Sequence, residues 1–327
     1  MKYHNCKKDD KIRLALYTSW NGSILCAISK ACPEWRLTGS VGETLVMLAA
    51  ECGCVRALEG LLSIRNSKGE CRFNVNDKDL FGETALMKAV RKRQLIVTRI
   101  LLDDAKANAN ETRIGGSTAL HYAASMGHYM LIKKLLVCDA DRFVTNDKGQ
   151  PPSAVAFLRY KRWLGRDKYG VIDEEHIDCI KQFLDMKEAR KQFLGWAARR
   201  KNGDSALRFL FKHYPEDSPN MRDLHGRTAL AWAMERGNQA GVKFLLSKGA
   251  DPHARDNSAS TPLMLGVQCL KRWRVMQTPN DARRAVDPGK TRAKRSVQAA
   301  KKARKAKKVR KYEVFLLQFC SVYGHPT

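Results

Sequence analysis

The chain has 327 residues, 44% of them apolar, and carries 60 Lys+Arg against 33 Asp+Glu for a net charge of +27. That length suits one extended array or two compact domains around a real core, and no window approaches the ~18 uninterrupted apolar residues of a membrane span. The charge makes polyanions the first class of partner to consider, and 17 basic against 2 acidic residues between Lys271 and Lys311 concentrate it late in the chain.

The first ten residues lack an apolar signal core and include Asp9 and Asp10, which an Arg- and Ser-rich organelle presequence avoids. The expected setting is intracellular, nucleus or cytoplasm ahead of an organelle. Residues 12–28 are apolar at helical spacing and predict a cap over residues 1–40. From there one phrase returns. It reads Gly-Glu-Thr-Leu-Val-Met-Leu-Ala-Ala at 42–50, Gly-Glu-Thr-Ala-Leu-Met-Lys-Ala-Val at 82–90 and Gly-Ser-Thr-Ala-Leu-His-Tyr-Ala-Ala at 116–124. It recurs as Gly-Arg-Thr-Ala-Leu-Ala-Trp-Ala-Met at 226–234 and Ser-Thr-Pro-Leu-Met-Leu-Gly-Val at 260–267. Its threonines stand at 44, 84, 118, 228 and 261, with Pro151 at the matching place of a weaker copy, and two of the steps are 33 residues. A second amphipathic segment follows each phrase and ends in paired leucines: Leu61-Leu62, Leu101-Leu102, Leu135-Leu136 and Leu245-Leu246.

A period of this length marks a stack of supersecondary units, and these residues closely resemble the ankyrin-repeat family from Gly42 to the carboxyl terminus. The resemblance implies an all-α ankyrin-repeat solenoid of about seven helix pairs. The physics agrees: Thr caps the first helix, Gly permits the tight turn before it, and the alanines let helices approach. No repeat buries its apolar face alone, so stability comes from stacking. Residues 184–214 lack the Gly-x-Thr opening and predict a degenerate fifth repeat. The organisation expected is a cap over 1–40, repeats over 41–274, a basic insertion over 275–308 and a closing helix within 309–327.

Three stretches depart from the repeat. Residues 63–73 lengthen the first connector, 159–173 separate the helices of the fourth repeat, and 275–308 separate those of the last. The last two begin alike, Leu158-Arg159-Tyr160-Lys161-Arg162-Trp163 and Leu270-Lys271-Arg272-Trp273-Arg274. Basic residues interleaved with aromatic ones suit a polynucleotide, cations meeting phosphates while rings stack on bases; Trp163 and Trp273 fit core anchors equally. The most biased run carries Lys294-Arg295 and then Lys301-Lys302-Ala303-Arg304-Lys305-Ala306-Lys307-Lys308-Val309-Arg310-Lys311. Lys, Arg and Ala favour helix, yet self-repulsion predicts disorder until a polyanion binds. The two clusters also match a bipartite nuclear import pattern.

The resemblance further implies a concave face built from hairpins and first helices, onto which the variable position before the first Ala would point. That position holds Lys88, Tyr122, Trp196 and Trp232, and the positions after the Ala pair include Arg91-Lys92, Arg199-Arg200 and Glu235-Arg236. The expected groove is aromatic and mostly basic, a surface for protein partners, with packing between repeats as the other use of the two tryptophans. His121 takes the place of the family's structural histidine. The helix start at Asp173-Glu174-Glu175-His176 has acidic residues where the helix dipole favours them. Ten scattered cysteines, none two residues apart in the zinc-binding manner, fit reduced structural thiols. No Gly-rich phosphate loop or nucleophile elbow occurs. The expectation is no enzyme, no cofactor, no metal and no small-molecule substrate. Three functions remain in view: a ribonucleoprotein subunit gripping a protein and RNA, a nuclear adaptor, and a scaffold at an acidic membrane or cytoskeletal surface.

Overall fold

The computed structural model describes residues 42–64, 73–164, 174–200, 202–275 and 292–323. The cap, the connector insertion and the cores of the two later insertions lie outside the described residues. The chain divides into two compact units, Met1–Ala189 and Arg190–Thr327.

In the first unit four helix pairs follow one another: α1 (Leu45–Cys52) with α2 (Val55–Ser63), α3 (Ala85–Arg91) with α4 (Leu95–Asp103), α5 (Ala119–Met126) with α6 (Tyr129–Val137), and α7 (Pro152–Leu164) with α8 (Glu174–Phe183). The second unit holds most of α9 (Lys187–Arg199), then α10 (Asp204–His213), α11 (Ala229–Arg236), α12 (Gln239–Ser247), α13 (Pro262–Val275) and α14 (Arg292–Tyr323). The described residues are thus an all-α repeat solenoid without strands. Helices of seven to ten residues are too short to persist alone in water, so packing must hold them. Ala49, Ala50, Ala89, Ala123, Ala124, Ala197, Ala198 and Ala233 are fully buried, as are Leu58, Leu61, Leu101, Leu131, Leu135, Leu210 and Leu245. Each such leucine contributes roughly 1.5–3 kcal/mol.

The recurring threonines cap as their position predicts. Thr44 Oγ1 accepts from Met47 N at 3.3 Å, Thr84 from Met87 N at 3.4 Å and Thr228 from Ala231 N at 3.3 Å. Before each cap the chain turns through a left-handed residue such as Gly82, φ +74°, where a Cβ would stand 3.0 Å from Ile114 N. A periodic device escaped the sequence reading. An Asp or Asn five residues before the Thr position closes the hairpin with one carboxylate or amide oxygen. Asp79 Oδ1 accepts from Phe81 N and Glu83 N, Asp223 Oδ1 from His225 N and Arg227 N, and Asp256 Oδ1 from Ser258 N and Ser260 N. Asn146 does the same for Lys148 and Gln150. The third repeat has Arg113 there, and its guanidinium instead reaches Tyr122 Oη at 2.8 Å.

His121 is a structural hydrogen-bonding residue, 3% exposed. Thr118 N donates to Nδ1 at 3.2 Å, so Nε2 must carry the proton that it gives to Gln150 O at 3.0 Å. Burial pushes this imidazole below its ordinary value, against the Gln150 hydrogen bond. A depressed histidine favours the folded state above the unfolded pKa of about 6.5. Stability should therefore fall as pH drops from that value. In urea titrations at pH 7 and pH 5, His121→Gln should lose part of the wild-type pH dependence; an unchanged slope would mean that the ring is protonated when folded.

α14 differs from the sequence expectation. It starts at Arg292 rather than near Lys311, so the basic run shares a helix with Val309, Tyr312, Phe315, Leu316 and Phe319, all buried. The physical reason is nucleation. The packed carboxyl-terminal half supplies the costly first turns, after which each added Lys, Arg or Ala extends the helix at little cost.

Candidate functional site

Three surfaces carry the expected binding residues, one on the hairpin side of each unit and one on the last helix pair. In the first unit the hairpin side is neutralised from within. Lys88 is 2% exposed and does not face solvent. Its Nζ lies 2.7 Å from Glu43, 2.8 Å from Asp79 and 3.9 Å from Glu83. Burial, the largest single influence, pulls this ammonium down, but the hydrogen bonds and charges of Asp79 and Glu43 outweigh it and hold the pKa above its ordinary value. The expectation that Lys88 reads a partner is corrected on this point. The neighbouring hairpins supply three carboxylates, and a desolvated lysine must be paired.

Around it the charges continue in pairs. Tyr122 Oη donates to Glu83, and Arg113 donates to Tyr122. Arg91 approaches Glu51 and Glu83 at 3.5 and 3.4 Å, and Lys92 lies 3.3 Å from Glu51. Arg91 and Lys92 are exposed, yet four acids balance four bases here, so this side is not the basic groove the sequence predicts.

The second unit is different. Trp232 is 9% exposed, its indole N–H donating to Asp223 Oδ2 at 2.8 Å. Two guanidinium groups lie over its ring, Arg199 at 3.6 Å and Arg227 at 4.6 Å from the centroid. Trp196 is 6% exposed, packs on Phe193 at 5.4 Å and carries Arg200 at 5.2 Å. Both tryptophans are therefore packing residues, a correction to their expected exposure. Their size fills the gap between first helices, and they present arginines instead of themselves. Arg199, Arg200 and Arg236 are exposed, and Arg227 and Arg272 flank Glu235 at 3.0 and 3.3 Å. Five arginines stand against Asp223, Glu235 and Asp256, leaving a basic surplus.

The aromatic–basic runs divide by position. Arg159 is turned inward, donating from Nη1 to Ser125 O at 2.9 Å and from Nε to His176 Nε2 at 3.3 Å. Tyr160 is half-buried, 6.2 Å from Phe157. Arg159 thus ties its own helix to the ends of two neighbours. Lys161 and Arg162 are exposed. On α13 Lys271, Arg272 and Arg274 are exposed, Arg274 being 2.7 Å from Glu313. The side chains of Trp163 and Trp273 lie outside the described residues.

α13 and α14 run antiparallel, with Gly266 against Leu316 and Arg274 beside Glu313. α14 therefore continues past the end of α13 for about 25–30 Å at 1.5 Å per residue. Residues 292–311 of that helix contain 11 Lys and Arg and no acid: Arg292, Lys294, Arg295, Lys301, Lys302, Arg304, Lys305, Lys307, Lys308, Arg310 and Lys311. Among its described side chains Ala306 and Lys307 are exposed and Val309 is the first to be buried.

Among the described residues no group of His, Cys, Asp and Glu is placed to hold a metal ion, and no helix is long and apolar enough to cross a membrane. Cys138 and Cys320 are free thiols.

Residues 46–147 and 169–269 match a family model described as ankyrin repeats (3 copies). The regulatory protein SWI6 of Kluyveromyces lactis is 26% identical over 200 residues, 50% of this chain and 25% of that protein. The ANK repeat-containing protein nipk-1 of Caenorhabditis elegans is 34% identical over 130 residues, 37% of this chain and 21% of that protein. The human ankyrin repeat domain-containing protein 63 is 42% identical over 50 residues, 15% of this chain and 13% of that protein. The chain thus matches a quarter or less of the length of each of these relatives.

Proposed function

Since this chain belongs to the ankyrin-repeat family, we propose that it is a non-enzymatic scaffold that joins a protein neighbour to RNA, as a subunit of a ribonucleoprotein assembly. The observation that carries the RNA half is the overhanging part of α14, where 11 cations and no anion follow one another along a helix anchored at its other end. A row of that density tracks a phosphate backbone and releases its counterions. Lys271, Arg272 and Arg274 in the same unit, and separately Lys161 and Arg162 in the first unit, offer the same chemistry. The protein half rests on the arginine surplus of the second unit, Arg199, Arg200, Arg227 and Arg236, which suits an acidic segment of a partner. Arg91 and Lys92 join it only where a partner displaces their intrachain acids.

Affinity for a single-stranded RNA probe should fall steeply with salt, by ~0.7 log units per log unit of salt for each phosphate contacted. Replacing Lys301, Lys302, Arg304 and Lys305 with alanine removes four cations and keeps helix propensity. It should lower that slope by up to ~3. A flat salt response in the wild type sinks the RNA reading. A second reading, a nuclear adaptor, draws on the separation of Lys294-Arg295 from the run after Lys301; it predicts that the same variant leaves the nucleus while binding RNA as weakly as the wild type.

A further inference from the structure

The last helix pair presents a side that none of the described helices covers. On α13, Met264, Val267 and Lys271 follow one another at helical spacing and are exposed, Met264 by 53% and Val267 by 37%. On α14, Arg310, Val314, Leu317 and Ser321 do the same, with Val314 55% and Leu317 70% exposed. Because Gly266 packs against Leu316 in the antiparallel pair, Leu317 stands at the level of Met264 and Val267. In this unit the preceding first helix, α11, is covered: Ala229, Leu230, Ala231, Trp232, Ala233 and Met234 are all buried, with Met234 Cε beside Gly266 of α13. Apolar side chains exposed next to one another in this way ask for a cover.

The surrounding charge says what kind. Lys271, Arg274, Arg310 and Lys311 rim the apolar side chains, and Glu313, the one acid among them, is engaged by Arg274 at 2.7 Å. We propose that this face docks an amphipathic helix of a partner protein, its apolar stripe seated on Met264, Val267 and Leu317 and its flanks acidic. A helix of about 14 residues matches the length of α13. A second copy would bring +27 and the same basic rim, and like charges placed opposite one another repel. Residues 1–41 carry seven basic and three acidic residues, so they are no complement either. RNA would match the rim but leave the methionine, valine and leucine side chains in water. The rim shares Lys271, Arg274, Arg310 and Lys311 with the surface proposed for RNA, so only the apolar centre separates the two occupants, and the ribonuclease resistance of an adduct formed there tells them apart.

The full chain carrying the photoreactive residue p-benzoylphenylalanine at position 317 tests this in the cells that make it, with position 96 as control, since Ile96 is 63% exposed in the other unit. The expected result is a ribonuclease-resistant adduct with one protein segment that has apolar residues at three- and four-residue steps and a net negative charge. Val267→Glu should cut the yield about tenfold and Val267→Lys much less, because only Glu adds repulsion to an acidic helix. Both substitutions sit on an exposed side chain, and unchanged unfolding midpoints verify the fold. An adduct with a second copy, with residues 1–41 of the same chain or with RNA overturns the proposal. So does a yield no greater than at position 96, or a Lys variant weaker than the Glu variant.

Discussion

Replacing Lys88 by methionine is expected to destabilise the first unit by about 3–5 kcal/mol at neutral pH, the usual cost of removing one partner from a buried ion pair. Methionine fills nearly the same volume, so the loss is electrostatic rather than a cavity. It leaves Glu43 and Asp79, 5% and 0% exposed in their side chains, without the ammonium that lies 2.7 and 2.8 Å away. Uncompensated buried carboxylates take up protons more readily than in the unfolded chain. A folded-state carboxylate pKa raised above the unfolded value gives stability that grows as pH falls, so the variant should recover part of its loss on acidification. Urea unfolding at pH 7 and pH 5, with hydrogen exchange to localise the opening to α1–α5, reads both parts. A loss below about 1 kcal/mol, or a gap that widens at pH 5, would show that the lysine does not hold these acids in place.

The same cluster shows where sequence reasoning stops. The helices, the threonine caps, the turn glycines and the buried alanines were legible because each is dictated by a neighbour three to five residues away, and the repeat prints that relation several times. Even the fifth pair, without its Gly-x-Thr opening, could be placed by the apolar spacing of Leu194, Trp196, Leu207 and Leu210. Lys88 and Glu43 are 45 residues apart, and nothing local announces that one lies against the other. A signal was nevertheless present. The residue between Gly and Thr is Glu43 in one repeat and Glu83 in the next, and an Asp stands five residues before Thr84, so three acids were due at adjacent hairpins. The sixth repeat puts Arg227 in that same position, and there it finds Asp256 and Glu235 at 3.1 and 3.0 Å. The variable position of the phrase thus selects a pairing partner within the stack as readily as a ligand outside it. Trp232 follows the same logic: read as a contact residue, it serves as the plate on which Arg199 and Arg227 are held.

Replacing Tyr312 by alanine should cost about 3–5 kcal/mol, as for other large buried aromatic side chains, and should weaken RNA binding without removing a single charge. Tyr312 is 1% exposed, and its hydroxyl donates to Met234 O at 2.5 Å. Gly266 leaves it room: a Cβ there would stand 3.2 Å from the hydroxyl. The ring and Phe315, stacked at 5.9 Å, belong to the buried stripe that fastens α14 to α11 and α13. With that stripe broken the basic run loses the packed turns that nucleate it. Its cations must then be ordered on the RNA at the expense of binding energy. Tyr312→Phe keeps the ring and removes only the hydrogen bond, so about 0.5–1.5 kcal/mol and little RNA affinity should go. Burial also pushes the Tyr312 phenol far above its ordinary value near 10. A group whose folded pKa is raised favours the folded state fully below the unfolded pKa, and the wild type should lose stability as pH climbs beyond 10 while Tyr312→Phe loses less. If Tyr312→Ala binds RNA with the wild-type affinity and salt slope, the anchored helix is not what presents these cations, and the basic run acts as a free tail.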